Sequence, residues 1–140
     1  MPFTLIKLLV GALTDGGDPD VGLQLTRPCI YKITNKKNGK IYVGSASRGL
    51  AQRRSMHLYH LRRGTHHSPI LQQSFNKHGE RAFVFGIIEY VDNQNNIIKR
   101  EQYWIDTLKP YYNIAKKAGE TRKTYRRRKT RATIKRLIFG

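Results

Sequence analysis

Two tyrosines, Tyr31 and Tyr42, lie in short apolar segments on either side of a turn, where paired phenols could move protons or contact a phosphate. An Asn-Gly pair between them is the strongest short-range signal for a β-hairpin. A two-residue loop there would pair Lys37 with Lys40 and place both phenols on one face, beside Gly44. On these residues alone, packing explains the pair as well as chemistry does.

A carboxylate on an apolar helix face is the second candidate. Glu101 is the one charged member of a stripe at helical spacing that comprises Ile97, Ile98, Glu101, Trp104, Ile105 and Leu108. A carboxylate that faces a core is costly unless it is paired or coordinates a metal. Two interpretations therefore stand: a buried salt bridge with a lysine or arginine, or an oxygen ligand for a hard cation such as Mg²⁺.

An arginine and a histidine occupy a similar place on an earlier helix. Arg53 and His57 lie one turn apart on a face shared with Leu50 and Leu61. The planar guanidinium suits a phosphate, and the imidazole suits proton transfer near neutral pH. The alternative is that both side chains lie on the flank of the helix and contact water.

Two tyrosines, an arginine, a histidine and one isolated carboxylate together favour metal-assisted phosphodiester cleavage with a single metal ion. No P-loop is present, so the sequence does not support a nucleotide cofactor. Zinc is disfavoured because the chain holds one cysteine and no zinc-ligand spacing. That cysteine, Cys29, begins a strand and is expected to be a small core residue; a single cysteine also fits a reducing compartment.

The charge of the chain indicates a polyanionic partner. The net charge is +18 over 140 residues; residues 28–115 carry 14 basic and five acidic residues, and residues 116–140 carry 11 and one. Nucleic acid is the leading candidate, and an acidic membrane surface is the weaker one because no helix pairs a sustained apolar face with a basic one. A binding protein without chemistry is the alternative that composition alone favours.

Three regions are expected along the chain: an accessory N-terminal extension over 1–27, a compact domain over 28–115 and, over 116–140, either a basic, DNA-contacting tail or a truncated linker. Strands are predicted near 29–34, 40–45 and 83–91, with helices over 50–63, from Ser68-Pro69 to Gly79, and over 94–108. The order β-β-α-α-β-α predicts an α+β fold with a small, mainly antiparallel three-stranded sheet flanked by helices.

These residues resemble the GIY-YIG nuclease domain, and within it the group I intron homing endonucleases of phages and organelles. The matching segments are CIYKITNKKNGKIYVGSA at 29–46, the Arg53 and His57 helix, LQQSFNKHG at 71–79, REQYWI at 100–105 and YNIA at 112–115. Cys29 and Val43 depart from the motif, where the family has glycine and isoleucine, and both changes are expected to be tolerated.

The resemblance implies a role for each matching residue. Tyr31 would be the general base for the attacking water or a partner in that step, and Tyr42 would position the water and the phosphate. Arg53 would offset charge in the transition state, and His57 would donate a proton or contact the phosphate. The other implied site residues are His66, with the adjacent His67 as the alternative to it, the metal ligand Glu101, Asn113, which would close the site, and Gly44, which would let the backbone turn tightly beside the phosphate.

The implied activity is a DNA endonuclease that uses Mg²⁺ or Mn²⁺ on double-stranded DNA, in an organelle or in a phage-infected or bacterial cytoplasm. The basic residues expected to contact DNA are Lys40, Arg54, Arg62, Arg63, Arg126, Arg127, Arg128 and Lys129. The segment after the domain is short for a homing enzyme. Two alternatives therefore stay open: a catalytically silent nucleic-acid-binding protein and a nuclease that recognises DNA structure.

Overall fold

The computed structural model describes residues 25–114, residue 118 and residues 122–139. Residues 1–24 of the extension predicted over 1–27 lie outside the described residues, as do residues 115–117, 119–121 and 140. The described elements are β1 (Cys29–Asn35), β2 (Ile41–Ala46), α1 (Leu50–Arg63), α2 (Pro69–His78), β3 (Phe83–Tyr90), α3 (Ile97–Leu108) and α4 (Arg122–Phe139), with short 3₁₀ turns over Glu80–Ala82 and Gln94–Asn96. The predicted β-β-α-α-β-α order is confirmed.

The three strands form one antiparallel sheet in the order β2-β1-β3, so β1 is central and β2 is an edge strand. Alternate residues of β1 face opposite sides of the sheet. One side packs against α1 and α2 and contains Tyr31 and Leu61, whereas the other side contains Ile30 and packs against Ile97 and Ile105 of α3. The fold is therefore three layers, with helices on both faces of the sheet.

The helix ends follow the sequence signals. Ser68 caps α2 by accepting a hydrogen bond from the Leu71 N–H at 3.2 Å, with Pro69 in the first turn. Gly64 ends α1 in the left-handed conformation, at φ 72°. The predicted start of α3 at residue 94 was too early, because residues 94–96 form a 3₁₀ turn before the helix begins at Ile97.

The predicted two-residue hairpin loop is wrong. The Asn35 N–H donates to the Lys40 carbonyl at 2.9 Å, so these two residues close a four-residue loop. The side chain of Asn35 moves the turn: its Oδ1 accepts the Lys37 N–H at 2.9 Å, and its Nδ2 donates to Ser74 and Tyr112 at 3.0 and 3.1 Å. The buried amide of Asn35 thereby hydrogen-bonds the backbone of the turn and fixes the turn to the rest of the domain.

No helix in the described ranges has the length and apolar character that crossing a bilayer requires.

Candidate active site

The two tyrosines share one face of the sheet, as the alternation of the strands predicted. Ile33 pairs with Tyr42 and Tyr31 pairs with Gly44, a shift of two residues from the expected register that preserves the facing. Both rings are buried, with centroids 6.4 Å apart. A Cβ atom on Gly44 would lie 2.5 Å from the Tyr31 hydroxyl oxygen. Gly44 is therefore needed because the Tyr31 ring crosses it; the residue lies in an extended strand and makes no tight turn.

Two buried histidines continue from Tyr31. The Tyr31 Oη lies 2.5 Å from His57 Nε2, and His57 Nδ1 lies 2.7 Å from His66 Nε2. The Ser68 N–H donates to His66 Nδ1 at 3.0 Å. In neutral histidines this backbone donor sets the tautomers: His66 carries its proton on Nε2, His57 carries its proton on Nε2, and Tyr31 accepts.

Both buried histidines are neutral at physiological pH. Burial, reinforced by the charge of His66, lowers the pKa of His57 to about 2. Burial also lowers the pKa of His66 to about 3. At neutral pH neither imidazole therefore carries the extra proton that a general acid donates. Each imidazole still accepts one hydrogen bond through Nδ1 and donates another through Nε2.

The phenols hold their protons strongly. Burial, together with the charges of Tyr42 and Glu101, raises the pKa of Tyr31 well above its ordinary value, while Arg53 opposes the shift. Burial and Glu101 raise the pKa of Tyr42 to about 12. Ionisation of either phenol at neutral pH is therefore unfavourable.

Arg53 and Glu101 reach the same serine from opposite faces of the sheet. Arg53 Nε donates to the carbonyl oxygen of Ser45 at 3.2 Å, and the Ser45 hydroxyl donates to Glu101 Oε2 at 2.8 Å. Arg53 is half-buried, and its positive charge lowers the pKa of the Tyr31 phenol, against the effect of burial. The cation, the carboxylate and the phenols therefore meet at the end of β2.

Glu101 has the properties of a carboxylate that holds a metal ion. The salt-bridge alternative is not supported, because Glu101 joins no ion pair within the described part of the chain. Burial raises the pKa of Glu101, with Ser45 and Arg53 opposing the shift. No cluster of three or more His, Cys, Asp or Glu side chains exists among the described residues. One carboxylate fits Mg²⁺, which commonly uses one or two carboxylates with waters and phosphate oxygens.

The apolar stripe of α3 that contains Glu101 is buried over fewer residues than the sequence predicted. Ile97 and Ile105 are buried and Trp104 is half-buried, but Ile98 and Leu108 are exposed at the ends of α3. The sheet is three strands wide, so α3 buries only the side that lies directly over β1 and β2. Glu101 lies at the margin of that buried side, where a carboxylate can reach the site.

Comparison with known proteins identifies the same family that the sequence resembles. Residues 27–117, more than half of the chain, match the GIY-YIG catalytic domain. The chain belongs to the GIY-YIG family. It is 43% identical over 90 residues to intron-associated endonuclease 1 of Enterobacteria phage T4, a match that covers 61% of this chain and 36% of the phage protein. The chain therefore spans about a third of the length of that relative.

Two solved structures of a GIY-YIG domain match the same region. The catalytic domain of the homing endonuclease I-TevI is 41% identical, with a TM-score of 0.59, over 64% of this chain and 99% of that one. A glutamate-to-alanine mutant of the catalytic domain of intron endonuclease I-TevI is 40% identical, with a TM-score of 0.60, over 64% of this chain and 95% of that one. The predicted GIY-YIG fold is confirmed.

Asn113 covers the outer edge of this GIY-YIG sheet. Its Oδ1 accepts the Val43 N–H at 2.9 Å, and its Nδ2 donates to the Val43 carbonyl at 2.8 Å. Asn113 is buried and thereby satisfies both backbone groups of an edge residue between Tyr42 and Gly44. The structure places Asn113 as a support for the strand that carries the site, and no hydrogen bond joins it to a phenol among the described residues.

The basic residues predicted to contact DNA fall into separate groups. Lys40 lies 3.8 Å above the ring of Tyr111, and Arg63 lies 5.1 Å above the ring of Tyr59. Arg62 forms an exposed ion pair with Glu80 at 2.7 Å. Arg54 is half-buried and lines a cavity of about 400 Å³ on α1. The remaining four are exposed on α4 and are Arg126, Arg127, Arg128 and Lys129.

Three residues beside the site were not among the predicted site residues, although His67 was the alternative to His66. His67 Nε2 lies 3.2 Å from the Tyr42 hydroxyl, Ser45 joins Arg53 to Glu101, and Gln72 accepts the His66 N–H at 3.1 Å. A pair of adjacent histidines before a helix cap was the available signal for His67. Ser45 and Gln72 carry no sequence signal, because serine and glutamine are common surface residues.

Proposed function

We propose that this chain is a divalent-metal-dependent DNA endonuclease that hydrolyses phosphodiester bonds, of the intron-encoded homing type. The observation that carries the proposal is the convergence of Tyr31, Tyr42, Arg53 and Glu101 at the end of β2. Cleavage of a phosphodiester needs a nucleophile, a path for its proton and positive charge for the phosphate, and this set provides the last two. The relatives with solved catalytic domains are intron and homing endonucleases by name.

The residues of the site divide the work by charge. Arg53 is held by the Ser45 carbonyl at 3.2 Å and beside Tyr31, where its guanidinium would offset the charge that develops on the phosphate. Tyr31 and Tyr42 would hold the attacking water and accept its proton as the new P–O bond forms. Their strongly bound protons mean that this transfer has to be concerted with the attack.

The divalent cation, Mg²⁺ or Mn²⁺, would be held by Glu101. When bound, it would supply positive charge to the phosphate oxygens. The Ser45 hydroxyl holds one carboxylate oxygen at 2.8 Å and thereby orients the group for its ligand.

The partner we propose is double-stranded DNA, contacted outside the site by α4. Every described side chain of α4 is exposed, and the helix sequence contains nine basic and no acidic residues, RKTYRRRKTRATIKRLIF. Such a helix gains affinity by displacing counterions from phosphates, with little dependence on sequence. The match to a phage protein favours a bacterial cytoplasm, and an organellar location has no support from that relative.

Cleavage of supercoiled plasmid in Mg²⁺ tests the proposal. We expect nicking that EDTA abolishes, and a loss of about 10²-fold or more in Arg53→Ala and Glu101→Gln. Arg48→Ala and Asp106→Asn are matched controls, since both residues are exposed and lie outside the site. End mapping should find 5′-phosphate and 3′-hydroxyl termini. Absence of cleavage by the wild-type chain, or equal cleavage by all variants, would refute the proposal.

The catalytically silent binder is the second candidate, and the basic helix α4 favours it. Replacing Arg126, Arg127, Arg128 and Lys129 by alanine separates the two functions. A silent binder would lose most of its affinity, with a drop on the order of 10²-fold at moderate salt and no cleavage in either form. An endonuclease would bind DNA more weakly and still nick plasmid in low salt. Comparing branched with linear duplexes then distinguishes a structure-selective enzyme.

A further inference from the structure

The phenols and histidines of the site form one hydrogen-bonded chain with a single direction. The backbone N–H of Ser68 fixes the tautomers, so that His57 donates to Tyr31. Since His57 donates to its oxygen, Tyr31 directs its own proton to another partner and keeps one lone pair for the attacking water. Tyr42 lies on the same face of the sheet, with its ring centroid 6.4 Å from that of Tyr31, and a hydrogen bond from Tyr31 lowers the pKa of Tyr42. The proton of Tyr31 is therefore directed to Tyr42.

The chain ends at a histidine on the surface. Because Tyr42 accepts from Tyr31, its own proton is directed to the one further partner its hydroxyl has among the described residues, His67 Nε2 at 3.2 Å. The imidazole of His67 is stacked on that of His66, with ring centroids 4.3 Å apart. His67 as a whole is exposed, although its hydrogen bond to Tyr42 is partly buried. It is therefore the member of the chain that can exchange a proton with solvent.

The two phenols need a final proton acceptor because neither charged form of Tyr31 is favourable in this site. If Tyr31 took the proton of the attacking water while keeping its own, it would become a buried cation beside Arg53. If it first lost its proton with no acceptor, it would become a buried anion beside Glu101. Both states are costly in this site, because burial already holds the phenol protonated.

We propose that His67 is the terminal proton acceptor of the tyrosine pair. The inference rests on the proposed endonuclease function. His67 would act on the reaction through Tyr42 and would not itself contact the phosphate.

The proton shift balances without a free phenolate. An O–H bond of the attacking water breaks as its oxygen forms a bond to phosphorus, and the proton passes to Tyr31 Oη. The proton of Tyr31 passes to Tyr42 Oη, and the proton of Tyr42 passes to His67 Nε2, which becomes an imidazolium. The P–O3′ bond breaks with its electron pair on the leaving oxygen, which takes a proton from solvent. The imidazolium then releases its extra proton to solvent.

The surroundings of His67 favour a neutral imidazole before each turnover. Partial burial of the imidazole, and then the charges of Arg53 and His60, lower the pKa of His67. The titratable and charged groups that face it are Tyr42 from β2, Arg53, His57 and His60 from α1, and the neighbouring His66. No carboxylate is among these groups, so no negative charge in the described surroundings favours the protonated form of His67.

Nuclear magnetic resonance of the full chain with ¹⁵N-labelled histidine tests the direction of the chain without any cleavage. At pH 7.5 we expect His67 to be neutral, with its proton on Nδ1 and with Nε2 unprotonated. Tyr42→Phe removes the donor and should change the ¹⁵N shift of His67 Nε2. A wild-type His67 that carries its proton on Nε2 would overturn the inference, whether or not the protein cleaves DNA.

Single-turnover cleavage at saturating DNA tests the chemistry. His67→Gln keeps a side chain that can accept the Tyr42 hydrogen bond but cannot hold the proton, so we expect a loss of about 10²-fold in rate. His67→Ala should lose as much, and added imidazole should restore part of its rate. His78→Ala is the matched control and should cleave as wild type does. Full activity in His67→Gln would overturn the inference and leave the endonuclease proposal intact.

The dependence of the rate on pH separates proton transfer from support of the fold. Measured at subsaturating DNA, the wild-type rate should fall on the acid side with a slope of one, at a midpoint below the ordinary pKa of histidine, as His67 becomes protonated in the free enzyme. That acid limb should be missing in His67→Gln. A limb that persists unchanged in His67→Gln would assign the proton to another group. A wild-type chain that does not cleave would refute the endonuclease proposal, and the resonance experiment alone would then decide the direction of the chain.

Discussion

Replacing Gly44 by alanine should be among the most damaging single-methyl changes in this domain. The new Cβ would lie 2.5 Å from the hydroxyl oxygen of Tyr31, 2.7 Å from Cζ and 3.1 Å from Cε1. The ring cannot withdraw, because Tyr31 is fully buried and its hydroxyl lies 2.5 Å from His57 Nε2. Overpacking of this kind costs about 1–3 kcal/mol. Alanine recovers roughly 0.5–1 kcal/mol because glycine is unfavourable inside a strand.

A double-mutant cycle with Tyr31→Leu isolates the clash. Leucine lacks the outer ring atoms, so Gly44→Ala should then be neutral or stabilising by roughly 0.5–1 kcal/mol. The intrinsic difference between glycine and alanine cancels in the cycle, which leaves a coupling of about 1–3 kcal/mol. Urea denaturation followed by circular dichroism measures all four proteins. An equal cost of Gly44→Ala in both backgrounds would refute the assigned contact.

Two further predictions concern the carboxylate and the buried histidines. Ser45→Ala should raise the Mg²⁺ concentration for half-maximal cleavage by about 10-fold, because Glu101 loses its orienting donor, whereas Ser55→Ala on α1 should not. Stability should fall from pH 8 to pH 5, because the folded pKa values of His57 and His66, about 2 and about 3, lie below the ordinary 6.5. Over that window the unfolded chain binds more protons, at a cost of up to about 4 kcal/mol at pH 5 for the pair. Urea midpoints that do not change between pH 8 and pH 5 would contradict the burial of neutral imidazoles.

The hairpin shows what the sequence could predict and what it could not. Strand alternation alone predicts that Tyr31 and Tyr42 share a face, and any register change by an even number of residues preserves that result. The register itself depends on the contacts of Asn35 with Ser74 and Tyr112, which lie 39 and 77 residues further along the chain. An interaction of that range leaves no mark on the local turn sequence.

The polar residues of the site divide in the same way. Arg53, His57 and Glu101 were predicted because each one interrupts an apolar helical pattern, which is a local signal. Asn113 was found only through the resemblance to the family, since its two hydrogen bonds are to backbone of a distant strand. His67 was passed over because its partner, Tyr42, is 25 residues away on another element.

Ser45 explains why an edge strand carries this chemistry. β2 has no strand on its outer side, and Gly44 has no side chain to block the approach. Arg53 from one face therefore binds the backbone of Ser45, while Glu101 from the other face accepts from its hydroxyl. The spacing between the guanidinium of Arg53 and the carboxylate of Glu101 is thereby set by one residue, and a shift of β2 would displace both charges together.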